Sequence, residues 1–359
     1  MSSRVVYLIG AGASRGKRGE KSLVFDTERF IPTEGKYVGR EECANILSGL
    51  PIVNEIPGRL QWLLHKLWNK NNELLESGSC NTSLSNLIDD LGWLANCAAK
   101  HASIDTFAKK LFLINNQSDY FRLKRALTVF LNYEQMVNPP DPRYDSFFAS
   151  ILQLDKDSFP DDISIISWNY DVQFEIAYRE YYPHEGLGHL SHFLNVYDKM
   201  KEGMGGEPYR EAKGFRILKL NGSACVNCGE YFFGVSDESI VDSLCKLYNS
   251  LTINNCLLSF AWENLKEQYI QRITDCVKDA EVLVIIGYSF PFFNREVDRI
   301  IFSKMRSLGK IYIQDPYGEN VKQSLRSALS AEQVFSTKML NRIELIPINE
   351  SQFFLPPEL

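Results

Sequence analysis

The chain has 359 residues, 45% of them hydrophobic and 23% charged, with a formal net charge of −6; that is ample length for a real core in one large domain or two modest ones. The acidic balance argues against nucleic acid as a direct partner, which a basic face would have to hold, and no apolar run approaches the ~20 residues of a membrane span. Eight cysteines in a chain whose first core strand begins at Val5 fit reduced thiols in a cytoplasmic protein without a signal peptide better than a disulfide framework.

Val5, Val6, Tyr7, Leu8 and Ile9 are five apolar residues in a row, the pattern of a strand buried on both faces of a parallel sheet. Gly10, Ala11, Gly12, Ala13 and Ser14 follow. Such a turn lets the backbone approach a ligand closely and aims N–H groups at an anion, a pyrophosphate for instance, near a helix start. It serves equally as a tight strand-to-loop turn at the head of any α/β domain. The dinucleotide fingerprint sets its third glycine three positions after the second, whereas Gly16 comes four after Gly12. Residues 15–49 are polar and glycine-rich, with a short strand near residues 23–25, and read as a flap beside the turn or as a plain loop.

From Arg59 to Leu154 the spacing is helical. Leu60, Leu63, Leu64 and Leu67 share one face, as do Leu84, Leu87, Ile88, Leu91 and Leu94. Phe107, Leu111 and Ile114 mark a further helix and residues 121–131 another, before Asn138, Pro139, Pro140, Asp141 and Pro142 break the run. Trp62, Trp68 and Trp93 are expected in this helical core.

Strand patterning resumes at residues 163–168, followed by Asn169, Tyr170 and Asp171 and a helix over 172–181. An irregular stretch, 182–214, carries His184, His189 and His192. Residues 215–220 form a strand candidate ending in Asn221, Gly222 and Ser223, with Cys225 and Cys228 just beyond. A helix over 263–280 leads to the strongest strand, 282–286, which ends at Gly287, Tyr288 and Ser289. A helix near 294–305 and strands at 310–314 and 343–348 complete the order, with Asp315 after the former strand. Polar or glycine punctuation thus follows five separate strands, and in an open parallel sheet ligands bind outside those ends. The pattern predicts an α/β fold, a Rossmann-like doubly wound parallel sheet (1–50 and 161–359) with an inserted all-helical subdomain (51–160) and a smaller irregular module (182–260).

Four pieces in order, GAGAS (Gly10–Ser14), WNYD (Trp168–Asp171), LNGS (Leu220–Ser223) and IGYSFP (Ile286–Pro291), resemble the sirtuin-like domain, and more narrowly its NAD⁺-consuming branch in prokaryotic antiphage defence. The resemblance implies that Gly10, Ala11, Gly12, Ala13 and Ser14 hold the NAD⁺ phosphates. Asn169 and Asp171 would lie by the nicotinamide ribose, Gly287, Tyr288 and Ser289 on the phosphate and adenosine side, and Asp315 near the adenine ribose. The activity implied is an NAD⁺ glycohydrolase that releases nicotinamide and ADP-ribose as a triggered antiviral effector, with NAD⁺ as substrate, a homo-oligomeric state and a protein partner such as an ATPase, translocase or sensor. The residue types suit that chemistry. Nicotinamide leaves as a neutral base, so the demand is to stabilise an oxocarbenium-like ribose and present water, work for a carboxylate and an oriented amide. An Asn after a strand is also a common helix N-cap.

The family's His-Gly pair is Asn221-Gly222 here, and an Asn cannot take a proton at neutral pH. Three accounts fit: a hydrolysis driven by water set at Asn169, a base borrowed from His184, His189 or His192, or a catalytically inactive NAD⁺- or nucleotide-binding module in a larger assembly. Cys225 and Cys228 form one Cys-x-x-Cys pair, while Cys245 and Cys256 are too far apart to form the second. Zinc is therefore not expected, nor any other metal, and a protein-deacylase role is disfavoured.

Overall fold

A computed structural model describes residues 3–16, 30–31, 36–37, 49–138, 140–153, 155, 157–197, 214–224, 237–263, 267–329, 342–349 and 351–359. In chain order the elements are β1 (Val5–Ile9), β2 (Phe30–Ile31), β3 (Lys36–Tyr37), α1 (Ile56–Glu76), α2 (Thr82–Lys100), α3 (Ile104–Leu113), α4 (Gln117–Val137) and α5 (Pro142–Ile151). Then come β4 (Ile163–Ser167), α6 (Gln173–Tyr178), α7 (Leu187–Phe193), β5 (Val196–Tyr197), β6 (Arg216–Lys219), α8 (Asp237–Ser250) and α9 (Glu267–Val277). β7 (Val282–Ile286), α10 (Arg295–Lys304), β8 (Lys310–Gln314), α11 (Gly318–Leu329) and β9 (Ile343–Ile346) close the chain. The expected strand near residues 23–25 and the Cys225/Cys228 pair lie outside the described residues.

The chain divides into two compact units: residues 1–16, 140–223 and 259–359 in the first, and 17–139 with 224–258 in the second. The first carries a seven-stranded sheet in the order β5-β6-β4-β1-β7-β8-β9, parallel throughout. The fold is thus α/β and Rossmann-like. Every residue of β1, β4 and β7 is buried, as unbroken apolar runs require when both faces of a sheet are covered. On one face Val6, Leu8, Leu283, Ile285 and Ile311 pack with Ile273 and Val277 of α9, Ile301 and Phe302 of α10 and Leu325 of α11. Side chains alternate along a strand, so Tyr7 points the other way, its ring 5.2 Å from Phe147 of α5. Each of these large apolar side chains contributes about 2 kcal/mol by leaving water.

The second unit is helical. The leucine stripes of α1 and α2 are buried as their spacing requires. Asn81, Ser103 and Asn116 cap α2, α3 and α4 by accepting backbone N–H bonds. Two buried carboxylates are fixed by arginines: Glu134 by Arg59 at 2.6 Å, and Asp90 by Arg122 at 2.6 Å and Arg125 at 2.7 Å, with the Tyr248 hydroxyl at 2.7 Å. Trp62, Trp68 and Trp93 are half-buried and not core residues. The Arg122 guanidinium lies 4.5 Å from the Trp93 ring centre, an amphipathic contact that leaves one side of the indole at solvent. Two elements fall differently from the sequence grouping: α5 lies in the sheet unit and α8 in the helical one. Within the stretch expected to be irregular, α7 forms a helix and β5 joins the sheet, while β6 falls on the strand expected at 215–220.

Candidate active site

Register sets the site. Ile9 stands level with Ser167 and with Ile286, Ser167 with Lys219, and Ile286 with Gln314, so five strands release their loops at one edge. The strand order reverses between β1 and β7, which makes their C-terminal ends the crevice of the fold. There the Gly10 N–H donates to the Ile286 carbonyl at 3.0 Å and the Gly12 N–H to the Gly287 carbonyl at 3.0 Å. A Cβ on Gly10 would lie 2.5 Å from the Gly287 carbonyl oxygen, and one on Gly287, whose φ is +60°, would lie 2.3 Å from the Ala13 nitrogen. Only glycines permit this approach. The Ala13 and Ser14 amides close a turn of 3₁₀ helix onto Gly10 and Ala11. Of the five loop amides, then, only that of Ala11 has no partner among the described residues. The loop offers an anion less than the sequence suggests.

Ser14 is buried, and its hydroxyl joins three residues. It lies 2.8 Å from Asp171 Oδ2, 2.6 Å from the Tyr144 hydroxyl and 3.1 Å from Asn169 Nδ2. A hydroxyl has one proton and two lone pairs. The amide nitrogen can only donate and the carboxylate can only accept, so Ser14 donates to Asp171 and accepts from Asn169 and Tyr144. Asn169 is buried, its N–H donates to Ser167 Oγ at 3.1 Å, and its Oδ1 has no partner among the described residues. It does not cap α6. The N-cap is Val172, and Asp171 just before it accepts the Gln173 N–H on its Oδ1 at 3.3 Å. Burial pushes the Asp171 carboxyl above its usual range, against the opposing pull of Lys219 and of the Ser14 bond. Lys219 itself is buried, with its Nζ 2.6 Å from the Asp171 carbonyl and 2.9 Å from Glu175.

Asn221 is buried with Nδ2 donating to the Trp168 carbonyl at 2.9 Å. Its Oδ1 is buried without a partner among the described residues, as are both side-chain amide atoms of Gln173. Tyr288 points inward, away from the crevice. Its ring stacks on Trp168 at 5.9 Å, and its hydroxyl donates to the fully buried Asp298 at 2.8 Å. Trp168 Nε1 reaches the same carboxylate at 3.2 Å. Desolvation raises Asp298 to about 8, because its donors are neutral. Ser289 is exposed on the loop that follows, and Phe290 there has a φ of +56°. A non-glycine held so is strained, as at many functional sites. Asp315 lies at the tip of β8, where its Oδ1 accepts the Tyr317 N–H at 2.8 Å; burial raises its carboxyl.

No family model matches this chain, and no curated protein does either. The geometry stands on its own. It brings Ser14, Asn169 and Asp171 into direct contact and sets Gly10, Gly12 and Gly287 against one another, while Asn221 joins through the Trp168 carbonyl. His189 is exposed and pairs with Glu185, four residues earlier and ahead of α7, and no group of metal-ligating side chains occurs among the described residues. Sequence patterning missed Arg143 and Tyr144 altogether. They open α5 behind Asp141 and Pro142, a capping Asp with Pro at the first helical position. Arg143 donates to the Ala13 carbonyl at 2.9 Å while Asp141 grips its guanidinium twice. The signal was a buried Arg-Tyr pair hidden in what reads as a loop break.

Proposed function

We propose that this protein is an NAD⁺ glycohydrolase, cleaving NAD⁺ with water to nicotinamide, ADP-ribose and a proton. One observation carries the reading: at the switch point of the sheet, Asn169 has its amide nitrogen locked to Ser14 and its amide oxygen unpartnered, beside a desolvated carboxylate, Asp171. Fit to the substrate is supported by the buried Oδ1 of Asn221 and side-chain amide of Gln173, which have no partner among the described residues, since an orphaned polar atom calls for a ligand or water. The bond between ribose C1′ and the pyridinium nitrogen breaks, and its electron pair leaves with nicotinamide. The Asn169 oxygen accepts a hydrogen bond from the attacking water or a ribose hydroxyl, and the negative charge of Asp171 favours the cationic ribose. The resemblance noted above extends the proposal to an oligomeric effector of antiviral defence, silent until a partner or trigger acts.

The purified chain, alone and with candidate activators, should release nicotinamide from NAD⁺, and Asn169→Ala should lower that rate by about 10²–10³. A second reading is favoured by Asn221, whose Nδ2 is tied to the Trp168 carbonyl and which can serve no base: a module that binds NAD⁺ without cleaving it. Binding in calorimetry with no turnover under any condition selects it, and activity gained in Asn221→His selects an inactivated enzyme.

A further inference from the structure

We infer that Tyr144, on α5, is a positioning residue that sets which end of the Asn169 amide faces the crevice. The inference deepens the glycohydrolase reading and rests on it for the turnover measurement alone. Ser14 has one proton, given to Asp171, so the proton in the 2.6 Å contact belongs to Tyr144. With Asn169 on the other lone pair, the Ser14 oxygen is saturated and its rotor has a single orientation. Were the Asn169 amide turned over, its oxygen would face a hydroxyl oxygen with no proton to offer; the amide therefore presents Nδ2 inward and Oδ1 outward. Remove the Tyr144 hydroxyl and Ser14 keeps two of its three partners, Asp171 and Asn169, so its rotor and with it the amide are held less tightly. The donor itself is held firmly. Its ring is wholly buried, edge-on to Phe174 at 4.7 Å and to Phe353 at 4.9 Å. Burial lifts its phenol well above the ordinary tyrosine range, so it remains protonated across working pH. Arg143, one residue earlier, anchors the same turn through the Ala13 carbonyl.

Tyr144→Phe keeps the ring and removes only the hydroxyl. The expected result is a KM for NAD⁺ within about twofold of the parent, a kcat for nicotinamide release lowered about tenfold, and an Asn169 side-chain amide whose hydrogen exchange, read by NMR, quickens about tenfold. Tyr312→Phe, which removes a buried tyrosine's hydroxyl bonded to Glu358, should leave all three unchanged. Exchange at Asn169 equal in Tyr144→Phe and the parent overturns the inference, whatever the turnover. A parent that releases no nicotinamide sinks the glycohydrolase reading, while the exchange comparison still decides the role of Tyr144. Should Tyr144→Phe fail to fold, 3,5-difluorotyrosine at position 144 keeps the bond and changes its strength; an unaltered Asn169 exchange rate then overturns the inference.

Discussion

Among the described residues both units pin buried carboxylates with cations, Asp141 and Glu175 of the sheet unit included, but the sheet unit also holds carboxyls met by neutral donors. In the helical unit Glu134 and Asp90 are met by arginines at 2.6–2.7 Å. In the sheet unit Asp298 is met by a tyrosine hydroxyl and an indole N–H, and the side chain of Asp171 by a serine hydroxyl and a backbone N–H. A charge neutralised by arginine joins helices and does nothing further. A carboxyl held by neutral donors has its pKa raised by burial, and such groups cluster where chemistry happens. The difference separates polar pins from the candidate site without any knowledge of the ligand.

The comparison can be broken at several points. Removing one member of a pin should cost most: Arg59→Met leaves Glu134 charged and buried, and urea unfolding should show a loss of about 3–5 kcal/mol, largely recovered in the double variant with Glu134→Leu. If the single variant is as stable as the parent, the pin is not a pin. Asp171→Asn should do the reverse, lowering nicotinamide release by about 10²–10³ while stability stays within about 1 kcal/mol, because the amide can still accept from Ser14. Asp298 sharpens the contrast by pH. Its folded value of about 8 lies above the ordinary 3.8, so the folded chain keeps a proton that the unfolded chain has lost. Stability from this group is complete below the lower value and is lost as pH rises through the upper one. Unfolding midpoints taken from about pH 5 to about pH 9 should fall in the parent and stay flatter in Asp298→Asn. Smallest of all, Lys70→Ala breaks an exposed pair with Glu73 and should move stability by less than about 0.5 kcal/mol.

Much of the fold was legible because parallel strands buried on both faces leave an unmistakable run. Val282–Ile286 and Lys310–Gln314 fall where their apolar residues end. Asn169 and Asp171 were legible as punctuation after such a run, and their meeting with Ser14 follows from register alone. What stayed hidden depends on contacts across sequence. Tyr144 touches Ser14 over a separation of 130 residues, and nothing in Asp141-Pro142-Arg143-Tyr144 marks it as other than a helix start. The place of the Tyr288 side chain stayed hidden for the same reason: stacking on Trp168 and the Asp298 bond draw it into the core.

The mutual contact of Gly10, Gly12 and Gly287 bears on redesign. Backbone presses on backbone there, so no side chain exists to trim or enlarge, and the bottom of the crevice has a fixed breadth. Under the glycohydrolase reading proposed above, any retuning of ligand choice would have to come from Ser289, Asn221 or Asp315, where a substitution leaves that backbone contact between the two strands intact.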